Sequence, residues 1–142
     1  MSFLLDTNIV SEWVKPRPDQ GVVSWLTETD EDRIFISVVT LAELRYGIER
    51  LAESVRRQRL DEWLQEELPQ RFEGRVLPVN GAVADSWGRL MARGRKTGRP
   101  VGAVDAFIAA TAQAHHLTLV TRNVRDFKPM VNDIVNPWAG AQ

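Results

Sequence analysis

The sequence contains no cysteine. Without thiols the chain has no disulfide framework, no cysteine nucleophile and no thiolate zinc site. Long apolar runs are also missing: polar residues interrupt the short ones, and none approaches the roughly 20 residues needed to span a bilayer. The opening MSFLLD lacks the basic segment and cleavage pattern of a signal peptide. We therefore expect a cytoplasmic protein without membrane contact.

A strong net charge is absent too. The 142 residues carry 18 basic and 19 acidic side chains, a formal net charge of −1, and 44% of the residues are hydrophobic. This balance is typical of a globular protein and excludes a disordered chain. Because the length suits one hydrophobic core, we predict a single domain over residues 1–142.

The charge is unevenly distributed along the chain. Residues 1–75 carry 10 basic and 15 acidic side chains, whereas residues 76–142 carry 8 basic and 4 acidic ones. A local basic surface can hold phosphate groups even on a nearly neutral protein. The candidates for such contacts are Arg93, Arg95, Lys96, Arg122 and Arg125. Taken alone, these residues are equally well interpreted as two solvated helix faces.

Short β-rich runs alternate with helical segments. The runs predict strands at residues 3–5, 34–36, 75–79 and 118–121, with a short fifth strand at 133–136. Residues 103–114 predict a buried helix, and residues 94–102 predict an exposed basic loop. This alternation is typical of a three-layer α/β/α domain with a central, mainly parallel sheet of about four to five strands. Because residues 3–5 are apolar throughout, we expect the first strand to be central.

Several acidic and polar residues fall where the carboxyl ends of parallel strands meet. Asp6 follows the first strand, Glu43 lies in the helix after the second, and Asn123 and Asp126 follow the fourth. Asp105 begins the buried helix that leads into the fourth strand, so it lies at the same edge. Ligands bind at this edge of open parallel sheets. Clustered carboxylates repel one another, and Mg²⁺ is a hard cation suited to relieve that repulsion.

Each carboxylate also has a purely structural interpretation. Asp6 can form an Asx-turn or cap a helix, Asp105 can interact with a helix dipole, and Asp126 can be a loop carboxylate. Glu43 fits the S/T-x-x-E capping box that begins at Thr40. Their common position at one edge favours a site, because independent caps need not converge there.

Four ordered motifs carry a resemblance that covers nearly the whole chain. They are LLDTN at residues 4–8, SVVTLAELRYG at 37–47, DAFIAATA at 105–112 and VTRNVRDF at 120–127. Together with VNPW at 135–138, they resemble PIN-domain toxins of the VapC/FitB type. The resemblance implies a PIN-like fold and a magnesium-dependent endoribonuclease, with Mn²⁺ as an alternative ion. It also implies that the chain is the toxin half of a bacterial toxin–antitoxin pair.

The resemblance further implies roles for individual residues. The expected catalytic residues are Asp6, Glu43, Asp105 and Asp126. Asp6 and Asp105 are expected to hold the metal, and Glu43 to position or deprotonate the attacking water. The expected supporting residues are Asn8, Thr121 and Asn123. The sequence leaves open whether Asn123 or Asp126 completes the site, and with it the number of metal ions.

The expected partners are an RNA substrate and a cognate antitoxin that inhibits the chain. Single-stranded or loop RNA suits an open sheet edge. The resemblance also implies a homodimer that contacts DNA only through the antitoxin. Two other functions are compatible with the residues themselves: a non-catalytic module whose acidic edge holds a basic peptide, and a metal-dependent nuclease that acts on DNA.

Overall fold

Strands and helices alternate throughout the computed structural model, which describes residues 1–140; the last two residues of the predicted domain lie outside it. The strands are β1 (Phe3–Leu5), β2 (Ile34–Ser37), β3 (Val76–Leu77), β4 (Thr118–Val120) and β5 (Ile134–Val135). The helices are α1 (Thr7–Glu12), α2 (Gln20–Glu28), α3 (Val38–Glu49), α4 (Val55–Glu62), α5 (Leu68–Arg71), α6 (Gly81–Lys96), α7 (Ala103–Ala114) and α8 (Val124–Phe127). A π-helical turn, Trp63–Glu67, joins α4 to α5.

The five strands form one parallel sheet in the order β3-β2-β1-β4-β5. In the central strand, Phe3 pairs with Ile34 on one side and with Thr118 on the other. Parallel neighbours require crossover connections, which are usually helical and cover the faces of the sheet. The predicted three-layer arrangement and the central position of the first strand are both confirmed.

Successive strand residues pack into opposite layers. Leu4 and Leu119 belong to the core beneath α6 and α7, whereas Leu5 and Val120 belong to the core beneath α1 to α5. All four side chains are fully buried. Because both faces of the sheet are covered, the central strand is apolar throughout instead of alternating with polar residues.

Two elements differ from the sequence prediction. The exposed loop predicted at residues 94–102 begins later, because α6 continues to Lys96. Gly94 is buried inside this helix, where an added Cβ would lie 2.9 Å from the carbonyl oxygen of Arg99, so this glycine permits close packing. The strand predicted at 75–79 is reduced to Val76–Leu77, because Pro78 cannot donate to the sheet.

The helices of residues 1–140 do not meet the requirements for crossing a membrane. Within residues 1–140, none has both the length and the apolar composition that a bilayer crossing requires.

The segment Asn136–Ala139, here called the C-terminal turn, packs on the start of α2. Oδ2 of Asp19, the residue that caps α2, accepts hydrogen bonds from the backbone N–H of Val22 at 3.1 Å and of Ala139 at 2.9 Å. A Cβ at Gly21 would lie 2.3 Å from the carbonyl oxygen of Pro137. The turn can approach α2 this closely only because residue 21 has no side chain.

We predict that Gly21→Ala destabilises the protein by about 1–3 kcal/mol, because the new methyl group overpacks this contact. Gly88→Ala is the matched control: Gly88 lies inside α6 with nothing within 4 Å of an added Cβ. That change is expected to stabilise the protein by up to about 1 kcal/mol through helix propensity. Urea denaturation measures both, and equal stability of Gly21→Ala and wild type would contradict the packing described here.

Candidate active site

The carboxyl edge of the sheet contains an open cavity of about 360 Å³, here called the edge cavity. Its lining residues are Asp6, Thr7, Asn8, Ser11, Glu12, Lys15, Glu43, Asp105, Arg122, Asn123 and Trp138. They come from five parts of the chain that only the parallel sheet brings together. The edge at which the sequence predicts a site is therefore concave and rich in oxygen atoms.

Asp6 lies at the base of this cavity, directly after the central strand, and is only 5% exposed. Its Oδ1 accepts a hydrogen bond from the backbone N–H of Thr7, and its Oδ2 accepts one from Oγ1 of Thr121, both at 2.8 Å. Burial raises the pKa of Asp6 to about 6, with smaller contributions from the nearby negative charges of Glu43 and Asp105, against the lowering effect of the two hydrogen bonds. Asp6 does cap α1, but a cap alone does not require this burial.

Glu43 projects from α3 towards the start of α1. Its Oε1 accepts a hydrogen bond from Oγ1 of Thr7 at 2.5 Å, and Oγ1 of Thr7 lies 3.1 Å from Oγ1 of Thr40. The capping-box interpretation of Glu43 is wrong. α3 is capped by Ser37, whose Oγ accepts from the N–H of Val39 at 3.0 Å, so Thr40 lies inside the helix.

Asp105 lies in the first turn of α7 and is half-buried. Burial raises its pKa, and the negative charges of Asp126 and Glu43 raise it further. Asp126, on α8, is exposed and is not part of the cavity lining, although its charge acts on Asp105. Asp6, Glu43 and Asp105 therefore form a coupled group of carboxylates, and Asp126 lies beside it.

The three predicted supporting residues link β4 to α1. Oγ1 of Thr121 donates to Asp6 and accepts from the backbone N–H of Asn123 at 3.0 Å. Asn8 lies between the segments: its Nδ2 donates to Oγ1 of Thr121 at 3.4 Å, and its Oδ1 accepts from the backbone N–H of Arg122 at 3.5 Å. These contacts hold the residues after β4, including Asn123 of the cavity wall, against the start of α1.

The donor set fits a hard divalent cation held by few direct ligands. Within residues 1–140, no three acidic or histidine side chains are gathered closely enough to enclose one ion. Mg²⁺ is usually bound by one or two carboxylates and keeps several waters, so it does not need such a cage. Each oxygen of Asp6 retains a lone pair beyond its hydrogen bond. The raised pKa values of Asp6 and Asp105 show that the negative charge here is poorly compensated by the protein.

The basic candidates occupy different places. Arg122 lines the edge cavity, and Arg125 is exposed on α8. Arg93, Arg95 and Lys96 lie in the last turn of α6 and do not line the edge cavity. Arg93 instead lines a separate cavity of about 460 Å³ that also contains Arg99 and Pro129. The structure thus brings one of the five predicted basic residues directly to the carboxylates.

Five lining residues are not among those that the sequence predicts for the site: Thr7, Ser11, Glu12, Lys15 and Trp138. Glu12 is 3% exposed; its Oε1 accepts from the backbone N–H of Asp19 at 2.9 Å, and it forms an ion pair with Lys15. The spacing of Asn8 and Glu12, four residues apart on α1, is the available signal, since it places both on one helix face. Trp138 has no such signal, because its neighbours in the sequence give no indication of a position at the cavity.

Comparisons with known proteins extend over the whole fold. Residues 3–130 match the family described as PIN domain. The chain is 36% identical over 138 residues to VapC ribonuclease Y4jK of Sinorhizobium fredii, covering 97% of this chain and 99% of that protein. It is 36% identical over 135 residues to Toxin FitB of Neisseria gonorrhoeae, covering 95% and 97%. The structure of FitAB bound to an IR36 DNA fragment is similar with a TM-score of 0.89 and 32% identity, covering 99% of this chain and 98% of that chain.

The buried carboxylate predicts a pH-dependent stability of the metal-free protein. Folding raises the pKa of Asp6 from 3.8 to about 6. Asp6 therefore binds its proton more tightly in the folded state, and protonation of Asp6 stabilises that state. The contribution of protonated Asp6 to the unfolding free energy is fully present below about pH 4 and is lost as the pH rises through about 6. We predict that the unfolding free energy of wild type, relative to Asp6→Asn, falls between pH 4 and pH 7.5 by up to about 3 kcal/mol.

Urea denaturation in the presence of EDTA measures this difference. The asparagine of the Asp6→Asn variant keeps an acceptor for the N–H of Thr7, so the pH dependence is the informative quantity and not the stability at one pH. Asp85→Asn makes the same chemical change at an exposed carboxylate and serves as the control. A constant difference between wild type and Asp6→Asn over this pH range would show that Asp6 titrates normally.

Proposed function

This chain belongs to the PIN domain family, and on that premise we propose that it is the toxin of a toxin–antitoxin pair and acts as an endoribonuclease on RNA phosphodiester bonds. The observation that carries the proposal is the convergence of Asp6, Glu43 and Asp105 on one open cavity. Named relatives of nearly the same length support it, since one is called a ribonuclease and another a toxin.

We propose that Asp6 and Asp105 hold Mg²⁺, with Mn²⁺ as an alternative ion. Both are oxygen donors, and the raised pKa of each indicates that a cation would find uncompensated negative charge there. When bound, such an ion supplies positive charge that stabilises the negative charge developing on the phosphate during cleavage. Asp126 is the proposed fourth carboxylate, beside Asp105, and Asn123 supplies a neutral oxygen from the cavity wall.

Glu43 is the proposed general base. The hydroxyl of Thr7 donates to its Oε1, which fixes the carboxylate in the cavity and leaves Oε2 to orient a water and accept its proton. Asn8 and Thr121 act as supporting residues, because they hold Asp6 and the residues after β4 in position. A flexible single-stranded or loop RNA suits this open cavity better than a stiff duplex does.

The basic residues have a proposed role along the RNA backbone. Arg122 contacts phosphate next to the carboxylates, Arg125 extends this surface along α8, and Arg93, Arg95 and Lys96 bind phosphates farther from the cleaved bond. Such contacts make binding depend on salt concentration and carry no sequence preference.

We propose that the chain forms one domain over residues 1–142, works in the cytoplasm and assembles as a homodimer. A cognate antitoxin is its proposed inhibitor, and DNA is contacted only through that antitoxin. The similarity to FitAB, whose structure is described as bound to a DNA fragment, supports the DNA contact of such a complex.

We predict that Asp6→Asn and Asp105→Asn each abolish cleavage of RNA, because each removes a charged metal ligand. Asp85→Asn, a change at an exposed residue paired with Arg89, is expected to leave cleavage unchanged. The assay follows a fluorescein-labelled single-stranded RNA with added Mg²⁺, and with a single-stranded DNA of the same sequence for comparison. Full activity of either variant would remove that residue from the site, and faster cleavage of the DNA would contradict an RNA substrate.

Glu43→Gln separates charge from hydrogen bonding, since glutamine still accepts from Thr7. We predict that the unfolding free energy changes by less than about 1 kcal/mol, while the cleavage rate falls by at least about tenfold through loss of the general base. Glu49→Gln, at the exposed end of the same helix, is the matched control. Unchanged cleavage by Glu43→Gln would leave Glu43 with no role beyond its contact to Thr7.

A further inference from the structure

The C-terminal turn, which contains three of the four residues of the VNPW motif, forms part of the wall of the edge cavity. Pro137 is buried, and Oδ1 of Asn136 accepts a hydrogen bond from the backbone N–H of Trp138 at 3.1 Å. Asp19 binds the N–H of Ala139, and the missing side chain of Gly21 allows the turn to approach α2. Trp138 is therefore held at the cavity by contacts on both of its sides in the sequence.

The guanidinium group of Arg122 lies over the ring of Trp138. The central carbon of the guanidinium lies 5.1 Å from the centre of the ring, within the range of a cation–π interaction. The side chain of Arg122 makes no hydrogen bond or ion pair with any part of residues 1–140. A cation–π contact uses none of the five N–H donors of the guanidinium in a hydrogen bond, so these donors are left for a ligand.

The second positively charged residue that lines the edge cavity, Lys15, has an acidic partner. Lys15 is paired with the buried carboxylate of Glu12 and compensates its charge. Arg122 is thus the one cation lining this cavity, within the described residues, that has no anionic partner within ion-pair distance. Asp19 lies near enough for the charge of Arg122 to help lower its pKa, but hydrogen bonds from backbone N–H groups are the main cause of that shift.

We propose that Trp138 is a positioning residue for RNA: it holds Arg122 so that the guanidinium binds the phosphate next to the one that is cleaved. The inference rests on the proposed ribonuclease function and assigns a role to a motif that this function does not use. A planar guanidinium can bind two oxygens of one phosphate. Because Arg122 lines the same cavity as the carboxylates, its positive charge reduces their repulsion of the RNA. Trp138 acts only through Arg122 and does not touch the reacting atoms.

A double-mutant cycle tests this coupling. The variants are Arg122→Ala, Trp138→Leu and the double variant, with cleavage of a short fluorescein-labelled single-stranded RNA measured over a range of salt concentrations. Arg122→Ala is expected to raise KM about tenfold at nearly constant kcat, because it removes binding shared by ground state and transition state. It should also reduce the slope of log KM against log salt concentration by about 0.7, the value for one phosphate contact on a single strand.

Trp138→Leu is expected to reproduce most of this change in KM and in salt slope when Arg122 is present. In the Arg122→Ala background it should add less than about a twofold change, since the residues act as one unit. Trp138→Phe keeps an aromatic face and is expected to recover part of the lost affinity. Trp63→Leu removes a partly buried tryptophan elsewhere in the fold and controls for a loss of packing.

The outcomes separate the inference from the function on which it rests. Independent, additive effects of Arg122→Ala and Trp138→Leu on KM would overturn the coupling while RNA cleavage by wild type stands. A change in kcat or stability alone, with an unchanged salt slope, would also overturn it, because a packing role predicts that pattern. If wild type cleaves no RNA but binds the labelled strand with the predicted coupling, only the proposed catalysis fails; absence of both removes the inference as well.

Discussion

A buried carboxylate at the end of the central strand constrains how the segments around it are arranged. Asp6 has almost no access to water, so its charge must be met by groups that the fold supplies. The N–H of Thr7 and the hydroxyl of Thr121 donate hydrogen bonds that compensate for part of this charge. The N–H of Thr7 is available because α1 begins directly after β1. The raised pKa shows that these two donors do not fully compensate for burial. At neutral pH the buried charge of Asp6 therefore reduces the stability of the folded protein.

The parallel sheet makes this arrangement possible by collecting distant segments at one edge. β1 lies between β2 and β4, so residues that follow these three strands become neighbours although they are far apart in the sequence. α7 adds Asp105 from its own N-terminal turn, because it runs back towards the start of β4. Asp6, Glu43 and Asp105 are each on or next to a regular element. Arg122 has no acidic partner among the described residues. Its guanidinium group contacts the ring of Trp138 instead.

The strands, the central position of β1 and the edge that bears the carboxylates could all be predicted, because apolar runs and their polar ends are local signals. The helix cap at Ser37 could not be distinguished from one at Thr40, since both hydroxyl residues fit the start of α3 and only tertiary contact turns Glu43 towards Thr7. The predicted start of the exposed loop at residue 94 was wrong because Gly94 resembles a turn residue, whereas it lies inside α6 and permits a close backbone contact. The spacing of Asn8 and Glu12 places both on one face of α1, whereas Trp138 lies next to Ala139, whose contact with Asp19 no local pattern reveals. The expected chemical roles of the carboxylates rest on the resemblance that the four ordered motifs carry, because the spacing of these residues does not indicate which one binds a metal and which one acts on water.

The order of the strands also determines when the site can first exist during synthesis. Asp6 is synthesised long before Thr118, the first residue of the strand that pairs with β1 on the side of Phe3's partner. Thr121, which binds Asp6, follows that strand, and Trp138 comes later still. A nascent chain that does not yet include β4 and Thr121 therefore has no assembled cavity, because pairing across so large a sequence separation must wait for the distant segment. The proposed cleavage site therefore cannot form before the residues that follow β4 have been synthesised.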